Sequence, residues 1–200
     1  MSTAHGPSRR GAIVVPVKGF TTAKDRLSGA LSGAERRDLA RRLAENVLRV
    51  ALTIDDCEVL VVTDDDAVFA WASELGATAL RQRRSGLNGA VSDAREKAAS
   101  LGCEWVLVTH ADLVDATPLG TIVAGLRPGV VTLVPDRHED GTNVLALDCG
   151  TDFDTHYGPG SFPAHLAEAA RRGLEVEVAR NARLALDVDE PGDLADLDEF

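Results

Sequence analysis

The chain has 200 residues, 44% of them hydrophobic but only 4% aromatic, and a formal net charge of -11. That length is enough for one α/β domain, or at a stretch two small ones, with nothing in the composition forcing a split, so one domain is expected, its core filled by Ala, Leu and Val; the composition excludes a disordered tail. So acidic a chain repels nucleic-acid backbone and acidic membrane surfaces, which are bound through clustered Lys and Arg, but a pocket of locally reversed sign leaves room for a small anionic substrate.

Met1 to Gly11 carries Pro, Ser, Gly and Arg without an apolar stretch, so it reads as a flexible leader rather than a signal peptide, with residues 12–200 as one domain. No later apolar run reaches the ~18 to 20 residues of a membrane span. A soluble, cytoplasmic protein is expected. Ala12 to Val17 is a short run of small and β-branched residues, and Val59 to Thr63, Trp105 to Thr109 and Val130 to Val134 repeat it. Unbroken apolar runs of this length suit strands buried on both faces of a parallel sheet. Between them lie helical patterns over Ala34 to Leu52, with Leu39, Leu43, Val47 and Val50 at helical spacing, and over Ala67 to Leu75, Gly89 to Leu101 and Pro118 to Leu126. The alternation predicts a three-layer α/β sandwich with a mostly parallel sheet. From Thr142 the order loosens into a strand (Asn143 to Leu147), a loop rich in Gly and Pro, a helix (Phe162 to Arg172), a strand (Leu174 to Val178) and a short helix after Pro191. Cys57, Cys103 and Cys149 lack the paired spacing of a zinc or redox motif and read as reduced and structural.

Ligands of such sheets sit beyond the carboxyl ends of the strands, and the polar motifs of this chain follow the strands. Lys18, Lys24 and Arg26 follow the first strand and can hold a triphosphate, the Lys residues as point charges and Arg26 as a planar fork; a solvated loop is the plainer alternative. No Walker loop occurs anywhere in the chain. In Thr109-His110-Ala111-Asp112-Leu113 a buried strand ends in a carboxylate placed to bind magnesium, or to cap the segment at Thr117. His110 beside it reads as a satisfied structural histidine before a second-shell one. Asp187 and Asp189, two apart in an extended segment, share a face and with Asp112 can hold one or two metal ions, although Asp189 and Asp193 also suit the first turn of a helix opened by Pro191. Thr142, Gly158 and Ser161 lie in Gly-rich turns whose hydroxyls and N–H groups can meet a phosphate, or are simply turns. Leu87 and Asn88, in Gly86-Leu87-Asn88-Gly89, either contact a nucleobase or cap the helix that follows.

From Ile13 to about Leu194 these residues fall into PVKGF and AKDRL, GLNGA, ADL, DGTNVL, YGPGSFPAH and DVDEPGDL, in that order. In this the chain resembles the 2-phospho-L-lactate (or phosphoenolpyruvate) guanylyltransferases of coenzyme F-420 biosynthesis. The resemblance implies a nucleotide-diphospho-sugar transferase type of fold and a GTP-dependent guanylyltransferase that joins GMP to the phosphate of a three-carbon phospho-acid (2-phospho-L-lactate, phosphoenolpyruvate or 3-phosphoglycerate) and releases pyrophosphate. It implies guanine nucleotide at Lys18, Lys24, Arg26, Leu87, Asn88 and Asp112, magnesium at Asp112 with Asp187 or Asp189, and the acid at Thr142, Gly158 and Ser161, with Lys18, Lys24, Arg26 and Asp112 catalytic. A homodimer is a candidate assembly. One departure stands out: after Asp112-Leu113 the family pattern continues with Pro and an apolar residue, where this chain has Val114-Asp115. The rival readings are a molybdopterin-type or sugar-phosphate nucleotidyltransferase, which shares the fold but not this first loop, and a non-catalytic nucleotide-binding protein, which has no need of the metal carboxylates.

Overall fold

The computed structural model describes residues 10–199. Met1 to Arg9, most of the expected leader, lie outside the described residues; Gly11, its last residue, opens the first strand. Seven strands form one sheet: β1 (Gly11–Pro16), β2 (Cys57–Thr63), β3 (Thr78–Arg81), β4 (Trp105–Thr109), β5 (Val130–Pro135), β6 (Thr142–Asp148) and β7 (Glu175–Val178). Their order is β3-β2-β1-β4-β6-β5-β7. Every pairing is parallel except the two made by β6, which runs against β4 and β5. Five helices, α1 (Gly33–Ala51), α2 (Asp66–Glu74), α3 (Gly86–Ser100), α4 (Leu119–Gly125) and α5 (Ser161–Arg172), cover the sheet.

Alternation along the buried strands builds the layers. Ile13, Val15, Val61 and Leu107 face a core shared with α1, α2 and α4, while Ala12, Val14, Val62, Val106 and Val108 face one shared with α3 and α5. A smaller cluster of Leu27, Leu39, Leu43, Val114 and Val188 ties the first loop and α1 to the segments after β4 and β7. α1 starts where a capping box forms, Glu35 N–H donating to Ser32 Oγ at 3.3 Å and Ser32 N–H to Glu35 Oε2 at 2.8 Å.

Three differences from the sequence reading stand out. β3 is a short edge strand, half-exposed and with no apolar run to announce it. α3 starts at Gly86, three residues before the periodic pattern, so Leu87 and Asn88 are helical residues and not loop ones. The expected helix after Pro191 is a 3-10 segment, Pro191–Glu199.

Because β6 is reversed, its first residues lie at the same sheet edge as the carboxyl ends of the parallel strands. Thr109 pairs with Val144, and His110 N–H donates to Asn143 O at 3.0 Å.

Candidate active site

A cleft of about 510 Å³ opens at that edge. One wall is the loop after β1, with Lys18, Gly19, Phe20 and Lys24; Asp64 and Gln82 come from the ends of β2 and β3, Leu87 and Ala90 from α3, and His110, Asp112, Asp187 and Asp189 close the far side.

Lys24 organises this far side. Its backbone is left-handed, φ 61°, which costs a non-glycine residue roughly 1 kcal/mol and persists only where the surroundings fix it. The surroundings here are three oxygens: the buried ammonium donates to Asp112 Oδ2 and to the Val188 carbonyl, and lies 3.5 Å from Asp189 Oδ1. Arg26, exposed, reaches Asp189 Oδ2 at 3.2 Å. Lys18 is exposed on the cleft rim. Lys18 and Lys24 therefore line the cleft, whereas Arg26 is not among its lining residues and meets it only through Asp189.

The carboxylates come together because residues 112–114 pair with 186–188. Leu113 and Asp187 form an antiparallel bridge, Val188 N–H donates to Asp112 O at 3.2 Å, and Val114 N–H donates to Leu186 O at 2.9 Å. Val114 thus uses an N–H that proline lacks. Asp115 takes the turn: its Oδ1 accepts from Thr117 N–H at 2.8 Å and its Oδ2 lies 3.2 Å from Arg183. The side chain that holds the turn at Thr117 is therefore Asp115 and not Asp112, and α4 itself, whose N-cap is Pro118, has no side-chain cap. Asp193 likewise accepts from the N–H groups of Asp189 and Glu190 at 2.8 and 2.7 Å, which leaves the Asp189 carboxylate to Lys24 and Arg26.

Asp112, Asp187 and His110 present ligand atoms all within 4.8 Å of one another. Burial pushes the Asp112 carboxyl up, but the Lys24 ammonium and His110 outweigh it and hold the group below its usual range. Asp187 is pushed up, first by burial and then by the charge on Asp112. Asp112 Oδ1 and His110 Nε2 are buried without hydrogen-bond partners. The expectation of a satisfied His110 is thus corrected: one ring nitrogen is unused, and Nδ1 lies 3.9 Å from Asp112 Oδ1. Asn143, to which the sequence reading gave no role, fixes Asp187, donating to its Oδ1 at 3.3 Å and to Leu184 O at 3.0 Å. Its place in DGTNVL was the available signal.

Beyond Asn143, at the start of β6 and α5, the residues expected at the acid are not part of this cleft: Thr142 and Ser161 are buried, Gly158 is exposed, and none of the three lines it. Ser161 N–H donates to Gly158 O at 3.1 Å, and the Asp140 carboxylate accepts from Gly160 N–H at 3.0 Å. The N-cap is Gly160, φ 71°, so Ser161 is the first helical residue and its side chain makes no cap. Thr142 Oγ1 lies 3.0 Å from His165 Nδ1, while His165 Nε2 accepts from His156 N–H at 2.9 Å. The backbone donor fixes the tautomer: Nδ1 carries the proton and donates to Thr142, whose own hydroxyl proton remains free. This hydroxyl and imidazole are therefore no nucleophile and base, since the ring has no lone pair facing the hydroxyl.

Leu87 lines the cleft, but the carboxamide of Asn88 is engaged elsewhere: Nδ2 donates to Tyr157 O at 3.1 Å and Oδ1 accepts from Tyr157 N–H at 2.8 Å. The sequence reading set Asn88 beside the nucleotide; both its polar atoms are instead spent on the loop before α5.

The guanylyl transferase CofC-like family matches residues 11–198. A curated relative, the phosphoenolpyruvate guanylyltransferase of Sphaerobacter thermophilus, is 38% identical over 189 residues, covering 92% of this chain and 90% of its own. The 2-phospho-L-lactate guanylyltransferase of Methanocaldococcus jannaschii is 27% identical, covering 92% and 81%. Among solved structures, a Desulfovibrio desulfuricans protein described as a nucleotide-diphospho-sugar transferase superposes with a TM-score of 0.75 at 17% identity, covering 94% of this chain and 85% of its own. The fold is thus of the nucleotide-diphospho-sugar transferase type expected from the sequence.

Proposed function

The chain belongs to the guanylyl transferase CofC-like family and is a nucleotidyltransferase, and from that premise we propose that it transfers GMP from GTP to the phosphate of a three-carbon phospho-acid, releasing pyrophosphate, as a cytoplasmic enzyme of coenzyme F-420 biosynthesis. The observation that carries the reading is the meeting of Lys18 and Lys24 with Asp112, Asp187 and Asp189 in one cleft, with Arg26 paired to Asp189. Phosphoryl chemistry between two polyanions needs alignment and spread of negative charge more than it needs a protein nucleophile.

The residues fit magnesium. The donors are mostly carboxylate oxygens, which suit a hard cation, and Asp112 Oδ1 is a buried anionic atom without a partner. Asp112 and Asp187, beside His110, would hold the ion, which when bound adds positive charge against the triphosphate; Asp189, expected from the sequence as a third ligand, is instead paired with Lys24 and Arg26. Lys18, Lys24 and Arg26 bind the triphosphate, and Leu87 offers an apolar contact to the base. Thr142 and Ser161, with the backbone at Gly158, hold the acid. The acceptor phosphate, with a second pKa of about 6, is largely a dianion at neutral pH. Its oxygen attacks the α-phosphorus with no proton passed to the protein; a new P–O bond forms and the bond to pyrophosphate breaks.

Pyrophosphate release from GTP, ATP, CTP and UTP with phosphoenolpyruvate, 2-phospho-L-lactate and 3-phosphoglycerate tests the reading. Release is expected with GTP and at least one acid. Equal release with ATP removes the guanine preference, and no release with any pair overturns the reading.

A further inference from the structure

α3 touches two parts of the molecule at once. Gly86, Leu87 and Ala90 of its first turns line the cleft, while Asn88 grips Tyr157, a residue 69 positions on, donating to its carbonyl and accepting from its N–H, and so pins the two peptide units that flank this residue. Two turns along, on the same face, Arg95 donates to the carbonyls of Phe153 and Thr151, each at 2.6 Å. α3 therefore holds the loop before α5 at two points, and Asn88 holds the end nearer Gly158.

The grip sets an aromatic stack. The Tyr157 ring lies 5.0 Å from that of His165, nearly perpendicular to it, and 5.7 Å from that of His110. His110 faces the carboxylates, and His165 donates to Thr142. The Tyr157 hydroxyl is buried without a partner, so no polar bond at the far end of the ring fixes it. Ring packing and the two backbone bonds from Asn88 do so instead. Directly after Tyr157 the backbone turns through Gly158 (φ 139°) and Gly160 (φ 71°) into Ser161. A shift at Tyr157 is passed straight to these residues.

We propose that Asn88 is a positioning residue for the phospho-acid side of the site, acting through Tyr157, and not a reader of the nucleobase. The inference rests on the functional reading above for the identity of the acid. Asn88→Ala removes one bond from each of the two peptide units flanking buried Tyr157; the acid then meets a loosened loop, while the cleft wall at Leu87 stays in place.

Tyr157 is the one tyrosine of the chain, so protein labelled with 3-fluorotyrosine gives a single fluorine resonance that reports this stack. In the wild type, phosphoenolpyruvate or 2-phospho-L-lactate is expected to shift that resonance. In Asn88→Ala the resonance moves and broadens before any ligand is added, KM for the acid rises about tenfold or more, and KM for GTP stays within about twofold, in line with the loss of two hydrogen bonds. Asn88→Asp keeps the acceptor but sets a negative oxygen against the Tyr157 carbonyl, and gives the same pattern if the alanine variant does not fold. A tenfold rise in KM for GTP with an unchanged acid KM overturns the proposal in favour of base recognition, and an unmoved resonance in both variants overturns the grip. If neither acid shifts the wild-type resonance, the functional reading fails first, and the acceptor role with it.

Discussion

Lys24, held in a left-handed turn after β1, donates its buried ammonium to Asp112 at the end of β4, so the first loop and the fourth strand meet in one charge pair at the centre of the cleft. Each group shapes the other. Asp112 keeps its carboxylate ionised despite burial, and Lys24 has a reason to hold its strained backbone.

Asp112→Asn tests this centre. Lys24 retains the Val188 carbonyl and Asp189, so the unfolding midpoint should stay near that of the wild type. Pyrophosphate release should fall by about a hundredfold or more, the scale of losing one charge that stabilises a phosphoryl transition state. Wild-type turnover across a magnesium titration would remove Asp112 from the chemistry.

Asp115→Ala should do the reverse. The side chain holds the turn at Thr117 and pairs with Arg183, so its loss costs about 1–2 kcal/mol of stability and leaves the kinetics alone. Thermal unfolding beside steady-state kinetics checks it. A large kinetic defect at full stability would bring Asp115 into the site.

Ser161→Ala separates an acceptor contact from a cap. Gly160 holds the cap position, so the variant should melt like the wild type, while acceptor efficiency falls about ten- to a hundred-fold for the loss of one bond to a charged group. Lower stability with ordinary acceptor kinetics would count against Ser161 in the site.

His165 gives a pH dependence. Burial, with His156 and His110 nearby, lowers its pKa from 6.5 to about 4. The unfolded chain therefore binds a proton on this ring below pH ~6.5 that the folded chain refuses until about pH 4. Stability rises with pH across that window, and falling from its top to its bottom costs roughly 3 kcal/mol. Denaturant unfolding at successive pH values should show this slope, and His165→Gln should flatten it; an equal slope in the variant would assign the effect elsewhere.

Much of the architecture was legible because β1, β2, β4 and β5 are buried on both faces and read as apolar runs. β3 was not, since TALR at a sheet edge carries no such run. Lys24, Asp112, Asp187 and Asp189 could be found because each follows a strand. Which carboxylate caps and which faces the cleft could not, because Asp112 and Asp115, or Asp189 and Asp193, differ only in contacts made by distant segments. Asn88 was misleading for the same reason: the Tyr157 peptide that occupies it is remote in sequence.

The reversal of β6 has a consequence for how the enzyme can vary. β5 ends and β6 begins at the edge where the cleft opens, and the hairpin over residues 136–141 meets the turn before α5 through Asp140, so on the proposed acceptor site it is a neighbour of the acid and not a remote connection. The Asp136 carboxylate closes this hairpin on the N–H groups of His138, Asp140 and Gly141. Residues inserted there would resize the pocket for a larger or smaller acid while every strand keeps its register, and lengthening such a loop carries only a slowly growing entropic cost. If the acid binds where proposed, length changes in this corner would alter its fit without disturbing the sheet beneath it.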